Sequence, residues 1–225
     1  MPSSPQVTSG PELTPERRRE LRRIRDEFHQ LYYGSRWHGG PWLGVPTWKC
    51  PMDMMVFQEI LFERRPDLII ETGTAHGGSA MFLASICDLI DHGDVISIDI
   101  DPLDPLPHHP RISWLLGDST SLTVMALVRQ AAAQVARVMV ILDSDHKESH
   151  VLRELELYAP LVTKHQYLIV EDTNVNGHPV LPDHGPGPWE AVGKWLPIHP
   201  EFSIDPRREK YLLSFNPGGY IERIK

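Results

Sequence analysis

Ile69-Ile70-Glu71-Thr72-Gly73-Thr74-Ala75-His76-Gly77-Gly78-Ser79 is the stretch on which the reading of this chain turns. A short apolar run ends in an acid, passes through a glycine-rich loop and enters an amphipathic helix. Glycines at such a junction let the backbone approach a ligand, and the N-terminus of the following helix favours anionic or polar groups. Two common nucleotide loops do not fit. A phosphate-binding P-loop needs Gly-Lys-Ser/Thr at the helix start, and here Gly77-Gly78-Ser79 carries no lysine. The dinucleotide fingerprint needs Gly-x-Gly-x-x-Gly, whereas the spacing here is Gly73-x-x-x-Gly77-Gly78.

Downstream, the pattern alternates. Apolar strand-like runs fall at 68–71, 95–99, 112–116, 138–142 and 167–170, and helical stretches at 79–91, 121–135 and 148–158 lie between them. Strands that are apolar throughout, separated by amphipathic helices, predict a doubly wound, mostly parallel α/β sheet covered on both faces. A long Gly/Pro/His loop follows at 173–188, then a short helix through Trp195, a strand-like run at 211–215 and a turn at Pro217-Gly218-Gly219.

Upstream, residues 1–13 are Ser/Pro-rich and read as a disordered tip. Residues 14–65 form an N-terminal extension, and 66–225 the catalytic domain. Thr14-Pro15 is a cap and first-turn pair opening a helix to about Tyr33, with Leu21, Ile24, Phe28, Leu31 and Tyr32 as its docking face. The arginines of its other face (Arg17, Arg18, Arg19, Arg22, Arg23, Arg25) are interrupted by acids and read as a solvated surface. The segment 34–51, with Trp37, Trp42 and Trp48, reads as an ordered loop packed by its aromatics, and a helix follows at 52–65.

Composition narrows the function. Lys and Arg number 22 against 30 Asp and Glu, a formal charge of −8 that argues against nucleic-acid binding through phosphates. No run of about 18 apolar residues provides a membrane span. The first residues lack the layout of a secretory signal, and two cysteines, Cys50 and Cys87, are too few for a disulfide framework. The expectation is a cytoplasmic enzyme acting on a small molecule.

Three strand ends carry candidate cofactor ligands. The loop after the first strand, an acid followed by Gly-x-x-x-Gly-Gly, is similar to the first motif of S-adenosylmethionine-dependent methyltransferases. There the backbone wraps the amino-acid end of the cofactor and Glu71 would engage its ammonium. Asp99, ending the second strand, would accept the ribose hydroxyls, and Asp118-Ser119, after the third, would meet the adenine. The candidate cofactor residues are Glu71, Gly73, Thr74, Gly78, Ser79, Asp99, Asp118 and Ser119. The fourth strand ends in Asp143-Ser144-Asp145-His146 and the fifth in Glu171-Asp172. In a parallel sheet these ends open on one crevice, where unneutralised carboxylates repel each other and call for a cation. All-oxygen ligation suits Mg²⁺, or Mn²⁺ or Ca²⁺, better than zinc.

LDSDHKESHVLRELELYAPLV (142–162), YLIVEDT (167–173), GPGPWEAV (185–192) and FNPGGY (215–220), with the glycine loop, resemble the cephalosporin hydroxylase family, which includes rhamnosyl and other sugar O-methyltransferases. The likeness runs from about Trp37 to the C-terminus. It implies a class I methyltransferase fold, S-adenosylmethionine and a divalent metal, a homo-oligomer, and work in natural-product tailoring such as antibiotic biosynthesis, with a tailoring-enzyme partner conceivable. The family's paired acids map onto Glu171 and Asp172. For the third ligand, one pattern within the family points to Asp145, 26 residues before Glu171; another, Asp-x-x-His, points to Asp143 with His146 as catalytic base, and both stay open. Two other readings compete with this one. An iron oxygenase wants two histidines and a carboxylate, whereas the crevice offers His146 alone. A non-catalytic cofactor-binding subunit would have no need of the intact acid cluster.

Overall fold

The computed structural model describes residues 14–35, 40–103 and 105–225; the expected disordered tip at 1–13 and Trp37 lie outside them. Helix α1 spans Pro15–Ser35, strands β1 and β2 are Gly40–Trp42 and Val45–Thr47, and α2 spans Pro51–Arg64. The α/β part runs β3 (Leu68–Thr72), α3 (Gly78–Leu89), β4 (Asp94–Asp99), β5 (Ile112–Leu116), α4 (Leu122–Ala132), β6 (Val138–Leu142), α5 (Glu148–Tyr158), β7 (Tyr167–Val170), α6 (Pro188–Trp195), β8 (Phe202–Ile204) and β9 (Tyr220–Arg223).

Seven strands form one sheet in the order β5-β4-β3-β6-β7-β9-β8. Strands β3 to β7 are mutually parallel, and β9 is antiparallel to both β7 and β8. Every residue of β3, β6 and β7 is buried. Successive side chains point to opposite faces, as a pleated strand requires. Ile69, Met139, Ile141 and Ile169 meet α2 and α3 on one face, through Phe57, Leu61 and Leu83. Ile70, Val140, Leu142 and Val170 meet α4, α5 and α6 on the other, through Met125, Leu155 and Trp195. Truncating such a fully buried side chain, Ile70→Ala for example, costs about 2–5 kcal/mol.

The chain leaves β3 toward β4 on one side, while β6 lies on the other. The crevice at that reversal of strand order opens at the C-terminal strand ends, where ligands of such sheets bind.

Two expectations are corrected. Residues 211–215 are not a strand: Leu212 has φ 70°, and the Phe215 N–H donates to Asp53 Oδ2 (2.8 Å) instead of to a ladder. The last strands are β8 and β9. In α1, capped by Thr14 Oγ1 accepting from Arg17 N (3.2 Å), the buried residue is His29. Its ring stacks on Phe215 at 5.3 Å, whereas Ile24, Phe28 and Leu31 of the expected docking face are exposed. Four of the arginines pair with acids of their own helix, Arg17 with Glu20, Arg19 with Glu16, Arg23 with Glu27 and Arg25 with Asp26. Within the Trp-rich segment, Leu43-Gly44, both at positive φ, close a two-residue hairpin between β1 and β2.

Candidate active site

A cavity of about 540 Å³ opens at the C-terminal ends of β3 to β7. Gly73, Thr74, Gly78, Ser79, Asp99, Asp118 and Ser119 line it, as do Asp143, Asp145, His146 and Asp172. Glu71 does not reach its wall. That residue is fully buried behind the loop, accepting a hydrogen bond from Ser97 Oγ (2.8 Å), and burial raises its pKa despite the nearby Lys49. Glu171, 4% exposed, also sits behind the wall.

The glycine loop is built by close approach. A Cβ on Gly73 would stand 1.9 Å from the Asp143 carbonyl oxygen, and one on Gly78 2.1 Å from that of Pro46. Gly73 thus lets the β3 and β6 ends converge, and Gly78 seats the start of α3 against β2. The loop is also clamped to Asp99, whose Oδ2 accepts from the N–H groups of Thr74 (2.8 Å) and Ala75 (3.0 Å) and whose Oδ1 accepts from that of Asp101 (2.9 Å). Asp118 Oδ1 accepts from the backbone N–H (2.7 Å) and hydroxyl (2.8 Å) of Thr120, which hold its pKa below the usual value. Ser119 Oγ donates to the buried Glu154 (2.6 Å), which also accepts from Ser144 Oγ (2.8 Å).

On the other side of the switch point, the sheet ladder itself fixes the acids. Asp143 N donates to Thr72 O (3.0 Å) and Glu171 N to Leu142 O (3.0 Å), so both backbones continue the strands by one residue. One ligand atom each from Asp143, His146 and Asp172 fall within 4.8 Å of one another, and His146 Nε2 is 3.2 Å from Asp172 Oδ2. Asp143, not Asp145, joins this group among the described residues. Asp145, at the exposed rim of the cavity, stays outside the group, accepting from Lys147 N (3.1 Å) and lying 3.5 Å from the Lys147 ammonium.

Glu171 is engaged elsewhere. Lys49, only 4% exposed, places its Nζ on Asp143 Oδ2 and 2.5 Å from Glu171 Oε1. Burial opposes the ammonium charge, but Asp143, Glu171 and Glu71 outweigh it and hold the group protonated well above the ordinary lysine range. Burial and repulsion from Asp143 push Glu171 well up in spite of Lys49, and burial raises Asp172 in spite of His146.

The sequence reading missed Lys49, which is one basic residue in an aromatic loop some 20 positions before the glycine motif and belongs to no spacing pattern. It also passed over His150 and Glu154, on the first turns of α5. Of the tryptophans, Trp48 lines the cavity edge-on to His76 (5.2 Å), while Trp42 packs on Phe82 (4.9 Å). In the 173–188 loop, His178 stacks on Trp189 at 4.6 Å.

This strand order with one antiparallel strand near its edge, and a glycine loop facing strand-end acids across the switch point, is the class I methyltransferase arrangement. The chain belongs to the Rhamnosyl O-methyltransferase/CmcI family, which it matches over residues 35–224. It is 39% identical over 207 residues to the Rhamnosyl O-methyltransferase of Mycobacterium leprae, covering 89% of this chain and 90% of that protein. Among solved structures it is similar to an apo form of CmcI (TM-score 0.66, 21% identity, 85% of this chain and 78% of that one). It is equally similar to CmcI with Mg and SAM (TM-score 0.65, 20% identity, 85% and 79%). At that level of identity the structural likeness speaks for the fold.

Proposed function

We propose that this protein transfers a methyl group from S-adenosylmethionine to a hydroxyl of a sugar or sugar-bearing natural product, with a divalent ion at Asp143, Glu171 and Asp172. The observation that carries the reading is the convergence of Asp143, His146 and Asp172 beside the glycine loop in one cavity. The donor set suits the group: three carboxylates at neighbouring strand ends, with a cation already drawn among them in the form of Lys49. The cavity suits the cofactor, since the glycine loop and the strand-end carboxylates Asp99 and Asp118 line it together.

When bound, the ion would lower the pKa of a coordinated hydroxyl and fix its direction. The residues of the chain supply the rest. The loop from Gly73 to Ser79 and the Asp99 carboxylate hold the cofactor, with Asp118 and Ser119 at its adenine end. His146 takes the hydroxyl proton, and Asp172 beside its Nε2 stabilises the resulting imidazolium. Pro46, Trp48 and Lys49 line the cavity, so the 14–65 extension serves the 66–225 catalytic domain directly. Holding acceptor and methyl donor in line would provide much of the acceleration.

The rhamnosyl acceptor named for the 39%-identical relative supports a deoxyhexose hydroxyl as substrate class. Exposed apolar side chains on α1 (Ile24, Phe28, Leu31) and α2 (Met55, Phe62) support a homo-oligomer. Light scattering at micromolar concentration then exceeds the mass of a 25.6 kDa monomer. Antibiotic biosynthesis, with a tailoring-enzyme partner, is the setting that the family resemblance offers. The free cysteines, Cys50 and Cys87, are both buried and suit a reducing cytoplasm; no helix among the described residues is long and apolar enough to cross a membrane.

The test is methyl transfer from labelled S-adenosylmethionine to a rhamnosylated acceptor, with and without chelator. Product that disappears in EDTA and returns with Mg²⁺ is expected. Undiminished transfer in excess EDTA overturns the metal reading, and binding of NADH in place of S-adenosylmethionine overturns the cofactor class.

A further inference from the structure

Lys49 is the feature of the site that neither the glycine motif nor the acid cluster requires. A lysine is almost never fully buried without partners, and this one is carried into the crevice by the turn between β2 and α2. Its ammonium touches Asp143 and Glu171, while Glu71 lies close enough to act on it as a third negative charge. Its neighbours on the chain are tied down independently. Thr47 is buried against Gly78, and Cys50 packs with Leu213 and Phe215. The lysine is therefore delivered to the acids by a rigid segment, and it occupies carboxylate oxygens that the divalent ion would use.

We propose that Lys49 is a resident counter-cation of the cluster: it holds Asp143 and Glu171 together in the metal-free protein and competes with the divalent ion for them. This rests on the metal reading given above and adds a setting for its affinity. Without the ammonium, Asp143 and the buried Glu171 would have no cation in contact before metal arrives, which is destabilising. The ammonium solves that problem at the expense of metal affinity. Its charge repels the incoming ion across a few ångströms of low dielectric, and its hydrogen bonds take up one oxygen of Asp143 and one of Glu171 that the ion would use. The site is thereby preassembled yet binds its ion exchangeably.

The test compares the full-length parent with Lys49→Met, which keeps the aliphatic stem and removes the charge, and Lys49→Arg, which keeps a charge. All three are freed of metal with EDTA, desalted and titrated with Mn²⁺ alone by calorimetry, with thermal unfolding measured in parallel. Lys49→Met is expected to melt below the parent in EDTA, to bind Mn²⁺ about tenfold or more tightly than the parent, and to recover most of its lost Tm at saturating Mn²⁺. Lys49→Arg is expected to stay near the parent in affinity. If Lys49→Met cannot be isolated without metal, refolding in Mn²⁺ rescues it on this proposal; failure to fold with Mn²⁺ present overturns it. Equal or weaker Mn²⁺ binding by a folded Lys49→Met, with a Tm deficit that Mn²⁺ does not close, makes the lysine a structural pin and also overturns it. A parent that binds no Mn²⁺ at all refutes the metal reading itself, an outcome distinct from parent and variant binding alike.

Discussion

The two halves of the crevice handle negative charge in opposite ways, although they share one sheet edge. On the β3–β5 side, Asp99 and Asp118 are surrounded by N–H and hydroxyl donors of their own loops. At Asp118 these donors favour the ionised carboxylate without any cation. On the β6–β7 side, Asp143, Glu171 and Asp172 face one another, desolvation raises Glu171 and Asp172, and the cationic groups around them, Lys49 and His146 nearest, oppose it. Carboxylates satisfied locally are free to read a neutral diol, whereas carboxylates crowded together are a place for a cation. On the proposed function cofactor and metal fall to separate halves, and each half can be broken alone.

The largest effect is expected from Asp143→Ala and Asp172→Ala. Each should abolish Mn²⁺ binding in calorimetry and methyl transfer with it, since losing one carboxylate leaves too little charge to offset ion dehydration. Both should retain cofactor binding, and a matching loss of S-adenosylmethionine affinity would merge the two halves and defeat the comparison. His146→Ala comes next. It should keep metal and cofactor but lose about 10²–10⁴-fold in kcat as a missing general base; loss of Mn²⁺ binding in this variant would instead make the imidazole a ligand.

Asp99→Ala should weaken S-adenosylmethionine by about 1.5–3 kcal/mol, the range for hydrogen bonds to a charged group, with Mn²⁺ affinity unchanged. Parent-like cofactor affinity in this variant would remove the ribose assignment. Asp145→Ala, at the exposed rim of the cavity, should change stability by no more than about 0.5 kcal/mol and leave Mn²⁺ bound.

The smallest effect concerns the support of the acidic half. His29 accepts from Asn174 Nδ2 (3.0 Å), two residues beyond Asp172, and burial drops its pKa to about 4 from 6.5. Below 6.5 the unfolded chain takes up a proton that the folded chain refuses, so this contribution is complete above that pH and shrinks as pH falls toward 4. His29→Phe, which keeps the stacking on Phe215, should flatten the fall in Tm across that window. An unchanged slope would assign the acid sensitivity to other groups.

The parallel core was legible because β3, β6 and β7 are buried on both faces and so are apolar almost throughout, Glu71 and Thr72 at the end of β3 excepted, a pattern that survives in the linear chain. The strand-end residues were legible for a related reason, since the ladder carries Asp143 and Glu171 one residue past their strands and their places follow from where the apolar runs stop. The 211–215 segment misled because Leu213 and Phe215 are apolar for a different purpose, packing with Cys50 near α1. Periodicity does not tell a strand from a buried loop whose N–H finds a side chain such as Asp53.

What the sequence by itself determined was the parallel order of elements, the glycine loop and the presence of acids at five strand ends. Tertiary structure alone decided that Asp143 joins His146 and Asp172 while Asp145 stays outside the group, that Glu71 and Glu171 stand behind the cavity wall, and that a lysine from before the α/β sheet ends among its acids. The physical reason is range. Strand burial and turn chemistry act between residues near in sequence, whereas Lys49 meets Glu171 across 122 residues, through charge and packing that only the folded chain brings together.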